Sequence, residues 1–204
     1  SGGKLVCDAS GDQTSPRVSQ YDGDKTIITW EDGRNGNTDA YYQILDGSGN
    51  GTLTADGVSA CTGEWEIIKP RVKAENAVAY IVWEDRRNGW TSDIYAQKIN
   101  SSESTVWGNG KEICISEESQ TEPRLTTDGS GGVYFVWEDK RNSDKNDIYA
   151  QHVDSGGSIT LDNNGELICD AENLQFNPLV RNDGNGGALI VWGDQRTGGS
   201  YGMY

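Results

Sequence analysis

Apolar residues in this chain fall in short runs and alternations rather than at helical spacing. In the third quarter, Glu112-Ile113-Cys114-Ile115 predicts a short strand and Arg124-Leu125-Thr126-Thr127 a second. Val133-Tyr134-Phe135-Val136-Trp137 predicts a third, apolar on both faces, which places it in a sheet covered on both sides. Between the second and third, Asp128-Gly129-Ser130-Gly131-Gly132 reads as a hairpin turn, since glycine reaches the positive φ of tight connections. After a turn over 138–146, Asp147-Ile148-Tyr149-Ala150-Gln151 alternates and predicts a fourth, half-buried strand.

This unit recurs. Trp30, Trp83, Trp137 and Trp192 are spaced by 53, 54 and 55 residues, inside ITWEDGRNG, IVWEDRRNG, FVWEDKRNS and IVWGDQRTG. Pro16, Pro70, Pro123 and Pro178 keep step with them, and Cys7, Cys61, Cys114 and Cys169 each lie nine residues before a proline. Four strands in a period of about 54 residues, four times over, match the blade unit of a β-propeller. The expected fold is therefore all-β: one domain over 1–204, with repeats of roughly 1–46, 47–99, 100–154 and 155–204. Aligned on tryptophan, Gly202-Met203-Tyr204 matches Asp147-Ile148-Tyr149, and Lys4-Leu5-Val6-Cys7 matches the cysteine strand. The N- and C-terminal strands are thus expected to share a blade and close the ring. The same ends would allow the first strand to complete a neighbouring copy, giving self-association, or the chain to be a fragment of a longer protein.

Composition narrows the function. With 27 glycines, one methionine and a net charge of −15, the chain is turn-rich and strongly acidic, so nucleic acid is excluded as a partner for want of a basic face. No run of 18 apolar residues exists, and membrane insertion by a helix is not expected. One cysteine per repeat argues for reduced, buried thiols, and a single histidine, His152, argues against zinc. Acidic, Gly/Asn/Asp/Thr-rich repeats point to a secreted or cell-surface bacterial protein.

Candidate chemistry falls in three groups. The repeated WEDxR block supplies Asp32, Asp85, Asp139 and Asp194 with Arg34, Arg87, Arg141 and Arg196, and repetition in every unit favours a structural ion pair over catalysis. Arg17, Arg71 and Arg124 follow the repeated proline and would hold an anion or acidic sugar. Trp65, Trp90 and Trp107 break the repeat pattern in loops, where an aromatic ring stacks on a sugar or anchors a protein. Asp139, Asn142, Asp144 and Asp147 gather oxygen donors in one loop, a set suited to calcium, although the spacing is not that of an EF-hand.

The string Val-Trp-Glu-Asp-x-Arg-Asn followed by Asp-Ile-Tyr-Ala-Gln, at Val82–Gln97 and Val136–Gln151, resembles repeats of large secreted bacterial β-propeller proteins. It is more distantly similar to sialidase-like propellers, whose blades carry an Asp-box, Ser-x-Asp-x-Gly-x-x-x-Trp. Asp46-Gly47-Ser48-Gly49, Asp154-Ser155-Gly156-Gly157 and Ser104-Thr105-Val106-Trp107 each hold only part of that motif. The resulting expectation is a non-enzymatic extracellular binding or scaffold module that meets a glycan or protein on its loop face. The alternatives are a self-assembling subunit joined by terminal strand exchange and a sialidase-like glycan-active enzyme.

Overall fold

A computed structural model describes residues 2–142 and 145–204. Among them are fifteen strands and no helix. β1 (Gln13–Asp22), β2 (Lys25–Asp32), β3 (Asp39–Leu45) and β4 (Val58–Cys61) form the first sheet, in that order. β5 (Ile67–Glu75), β6 (Val78–Asp85), β7 (Asp93–Ile99) and β8 (Lys111–Cys114) form the second, and β9 (Gln120–Thr127), β10 (Val133–Asp139), β11 (Asp147–Val153) and β12 (Glu166–Cys169) the third. The fourth has three strands, β13 (Gln175–Asn182), β14 (Ala188–Asp194) and β15 (Gly202–Met203). Every pairing whose register is resolved is antiparallel, and the cysteine strand closes the outer edge of the sheet before it in sequence.

The chain divides into two compact units, 1–87 with 96–111, and 88–95 with 112–204. In the first, β1 lies against β5, and the hydroxyls of Tyr21 and Tyr42 donate to the carbonyls of Asn100 (2.6 Å) and Glu103 (2.9 Å). Ile27, Tyr42, Ile44, Ile67, Ile81 and Trp83 are fully buried there. In the second unit, β9 lies against β13, and Val136, Ala150 and Val180 form a cluster joined by Tyr134, Ile168, Ala188 and Ile190. The doubly apolar third strand of the repeat is the reason: one of its faces meets the sheet that follows.

Two expectations change. β11 is buried almost throughout, because the loop after it folds back over its polar residue: Gln151 Oε1 accepts from the Leu161 amide, and its Nε2 donates to the Asp162 carbonyl at 2.8 Å. The shared closing blade is not formed among the described residues. Residues 2–12 carry no strand, and β15 pairs with β14 over two positions only, Gly193 with Met203 and Asp194 with Gly202. The head segment is instead held by side chains, with Arg34 Nη2 donating to Cys7 Sγ at 3.2 Å.

Candidate functional site

Each repeat ties its long turn with the same knot. The Asp85 carboxylate is wholly buried and accepts from Trp83 Nε1 (2.8 Å), Arg87 Nε (2.8 Å), Arg87 Nη2 (2.7 Å) and the Arg87 amide (3.0 Å). Asp32 and Asp139 repeat the four bonds with Trp30 and Arg34 and with Trp137 and Arg141. Asp194 keeps three of the four, from Trp192 Nε1, the Arg196 amide and Arg196 Nη2, while Arg196 Nε is buried without a hydrogen-bond partner. The guanidinium also reaches the cysteine nine residues before the next strand's proline, as in Arg87 to Cys61 at 3.5 Å and Arg141 to Cys114 at 2.9 Å. It stacks on a tyrosine at 3.9 Å over Tyr41, 4.0 Å over Tyr149 and 3.8 Å over Tyr204.

The electrostatics follow from burial and bonding together. Burial works against ionised Asp32, but bonds from Arg34 and Trp30 outweigh it and hold the carboxyl below its ordinary value. At Asp194 the Arg196 bond leads and the direction is again downward. Burial pushes the thiols of Cys61 and Cys114 up to about 12, so they stay protonated and serve as soft acceptors for arginine. These groups are engaged with one another, which makes the knot scaffold.

A second repeated feature lies one strand away. In each sheet the first strand bulges just before the repeated proline, and the residue there has positive φ: Ser15 (54°), Lys69 (55°), Glu122 (52°) and Asn177 (51°). A non-glycine residue before proline is disfavoured in this region, so the bulge carries backbone strain. The backbone is the same four times, whereas the side chain is different each time, supplying hydroxyl, ammonium, carboxylate and amide. These positions sit on the edges where first strands of successive sheets approach, β1 with β5 in one unit and β9 with β13 in the other.

The glutamate of WEDxR serves this edge. Glu31 Oε1 accepts from the Lys69 amide and Glu138 Oε1 from the Asn177 amide, both at 2.7 Å, so each glutamate pins the bulge of the following sheet. In the first unit, Glu84 is nearly fully buried and pairs with Lys69 Nζ at 3.0 Å. In the second, Glu122 pairs with Arg124 at 3.2 Å and remains partly open to solvent. Glu138 stands on β10 opposite Thr121, the residue before Glu122.

The structure distributes the residues singled out in the sequence. Arg17 and Arg71 lie on the adjacent strands β1 and β5, and Arg124 is in the other unit. Arg17 is exposed, donating to its neighbour's carbonyl, Pro16 O, at 2.8 Å. Trp65 is half-buried with the Arg87 guanidinium 4.9 Å above its ring, and Trp107 packs on Tyr80 at 5.6 Å. Trp90 projects fully into solvent. Asp139 is committed to the knot, and Asn142 Nδ2 donates to Asp147 (3.2 Å) and Tyr149 (2.8 Å). Asp144 lies outside the described residues. Among the described residues no group of three or more His, Cys, Asp or Glu is placed to hold a metal ion. The bulge residues Ser15, Lys69, Glu122 and Asn177 were missed by sequence reasoning. Their signal was a column before an invariant proline that differs in every repeat.

No protein-family model and no curated protein sequence matches this chain. Solved structures do. An endo-arabinase from Bacteroides thetaiotaomicron is similar over 96% of this chain and 75% of its own, with a TM-score of 0.55 and 15% identity. A thermostable family-43 glycoside hydrolase matches over 94% and 72%, with a TM-score of 0.55 and 12% identity. The fold is that of a β-propeller. This likeness corrects the expectation of a non-enzymatic binding or scaffold module, because the neighbours are enzymes.

Proposed function

We propose that this chain is a glycan-active enzyme that cleaves glycosidic bonds in extracellular polysaccharide. The observation that carries the reading is the bulge column: the same strained backbone presents a different side chain in each sheet, and in the second unit it sets Glu122 and Asn177 on the adjoining first strands β9 and β13, an asymmetry that catalysis requires. Support comes from the arabinase and glycoside hydrolase that share the fold. Glycoside cleavage uses two carboxyl groups, one giving a proton to the leaving oxygen and the other acting as base or nucleophile. Glu122, partly exposed beside Arg124, is assigned the proton transfer. Glu138, buried on the neighbouring strand and bonded to Asn146 and the Asn177 amide, is assigned the second carboxylate. In the same unit, Arg124 would bind a sugar hydroxyl or acidic substituent, and Trp90 would stack on a sugar ring. The test is release of reducing ends from arabinan, xylan and sialylated and uronate-containing glycans. Turnover of at least one by wild type, reduced roughly 100-fold or more in folded Glu122→Gln, is expected. Turnover unaffected by that change would remove the assignment, and no turnover on any glycan would remove the reading.

A further inference from the structure

A cluster in the third sheet lies outside both the knot and the bulge column, at the other end of β10 from Glu138. His152, the one histidine of the chain, stands on β11 opposite Tyr134 of β10, and their ring centres are 4.3 Å apart. The two ring nitrogens face different partners: Nε2 is 3.0 Å from Asp128 Oδ2, and Nδ1 is 2.7 Å from Thr160 Oγ1. Asp128 sits in the turn between β9 and β10, where its Oδ1 accepts from the amides of Ser130 (2.7 Å) and Gly132 (2.9 Å). Burial works against its ionised form, but the bonds from Ser130, His152 and Gly132 outweigh it and hold the carboxyl below its ordinary value. An ionised carboxylate only accepts, so it keeps the imidazole proton on Nε2 and leaves Nδ1 to accept from the threonine hydroxyl.

Local structure builds this line of groups. After β11 the Asp154 amide donates to the Ser158 carbonyl in a tight turn, and Val153 pairs with Ile159. The chain thereby returns along its own strand, the Thr160 amide donates to the His152 carbonyl at 3.0 Å, and the hydroxyl comes to lie beside the imidazole. Gly132 leaves room beneath, since a Cβ there would lie 2.4 Å from Asp128 Oδ2 and 3.1 Å from His152 Nε2. The Asp128 and His152 side chains are only 8% and 15% exposed, whereas Thr160 is exposed. A shielded carboxylate and imidazole therefore end on a hydroxyl that solvent reaches. The first two repeats make the same backbone return, Thr52 to Ile44 and Val106 to Lys98, but carry no imidazole there. The backbone of the return is scaffold, and the line of side chains is an addition to the third repeat. Carboxylate, imidazole and hydroxyl in hydrogen-bonded sequence are the arrangement of a base-activated nucleophile.

We propose that Thr160 and His152, positioned by Asp128, form a second catalytic centre that hydrolyses carboxylic esters through an acyl-threonine. Thr160 Oγ gives its proton to His152 Nδ1 and bonds to the ester carbonyl carbon. The bond from that carbon to the alcohol oxygen then breaks, and the alcohol leaves with the proton from Nδ1. A water molecule gives a proton to Nδ1 and its hydroxide adds to the acyl carbon. Thr160 Oγ departs, recovers the proton, and the acid is released. The exposed hydroxyl admits an ester of a small alcohol and one borne on a polymer alike. This chemistry uses neither Glu122 nor Glu138 and stands apart from glycoside cleavage.

The test is hydrolysis of p-nitrophenyl acetate and of acetylated xylan by wild type, Thr160→Val, His152→Gln and Asp128→Asn, with folding checked by circular dichroism. Turnover of at least one ester by wild type is expected, with an acetyl group found on Thr160 by peptide mass after acid quenching. Thr160→Val and His152→Gln are each expected to lower kcat roughly 100-fold or more. Asp128→Asn retains an oxygen for the Ser130 and Gly132 amides, and is expected to lower kcat while leaving KM unchanged. Absence of turnover above buffer on both esters would overturn the proposal. So would turnover that persists in Thr160→Val, which would mean that the imidazole acts without the hydroxyl. If His152→Gln fails to fold, Thr160→Val still decides, because its side chain is on the surface.

Discussion

Replacing Asp85 with alanine removes the acceptor of four hydrogen bonds at a site with no access to water. Two donors are stranded: the Trp83 indole N–H, fully buried, and the Arg87 guanidinium, whose side chain is only 18% exposed. Removing one partner of a buried ion pair costs about 3–5 kcal/mol, and an unpaired buried indole pushes toward the upper end. For a chain of this size that corresponds to a fall in melting temperature of roughly 6–20 °C. The molecule carries its own control in Asp194, where the Arg196 side chain is 34% exposed and Trp192 is only half-buried, so solvent recovers part of the loss. Asp194→Ala is expected to cost about 1–2 kcal/mol. Thermal unfolding followed by circular dichroism and by calorimetry measures both. A melting temperature of Asp85→Ala within about 2 °C of wild type, or a larger loss at Asp194 than at Asp85, would refute the claim that burial sets the strength of the knot.

Glu31→Gln keeps shape but weakens the acceptor that pins the Lys69 amide across two sheets, and a loss of about 1–2 kcal/mol in urea unfolding is expected. Ala77→Gly relieves a non-glycine residue at φ 60° in the β5–β6 hairpin and is expected to be neutral or stabilising by up to about 1 kcal/mol in the same assay. Stability should fall at both ends of the pH scale. The carboxyls of Asp32 and Asp194 lie below their unfolded value, so their contribution is complete above about pH 4 and is lost as acid protonates them. Folded Cys61 and Cys114 titrate at about 12 against about 9 when unfolded, so stability falls as pH rises through that interval, and C61A/C114A should flatten the alkaline limb of a melting-temperature profile.

The strands were legible because period and apolar run agree: Val133 to Trp137 is apolar on both faces and is buried on both in β10. The pairing of Asp with Arg was also legible, since a carboxylate and a guanidinium two residues apart recurred in every repeat. Other features depended on contacts distant in sequence. The Arg141 guanidinium meets Cys114 27 residues away, and Gln151 is covered by a loop that alternation along β11 cannot reveal. The bulges run against local preference, since a residue before proline avoids left-handed backbone, and only the ladder opposite the tryptophan imposes it. Ring closure was inferred from alignment of the ends, whereas a strand needs a neighbour long enough to pair with, and β15 spans two residues. The reading of function erred by treating repetition as uniform. The same period that marks the knot also makes columns that vary from repeat to repeat visible, the residue before the proline among them.

The most direct measurement is reducing-end release from arabinan, with the wider glycan panel alongside, by wild type, Glu122→Gln and Asp85→Asn at a temperature where all three are folded. Turnover by wild type that collapses in Glu122→Gln and persists in Asp85→Asn is expected if the bulge column is the site and the knot is scaffold. Equal loss in the two variants, or turnover indifferent to Glu122, would contradict it.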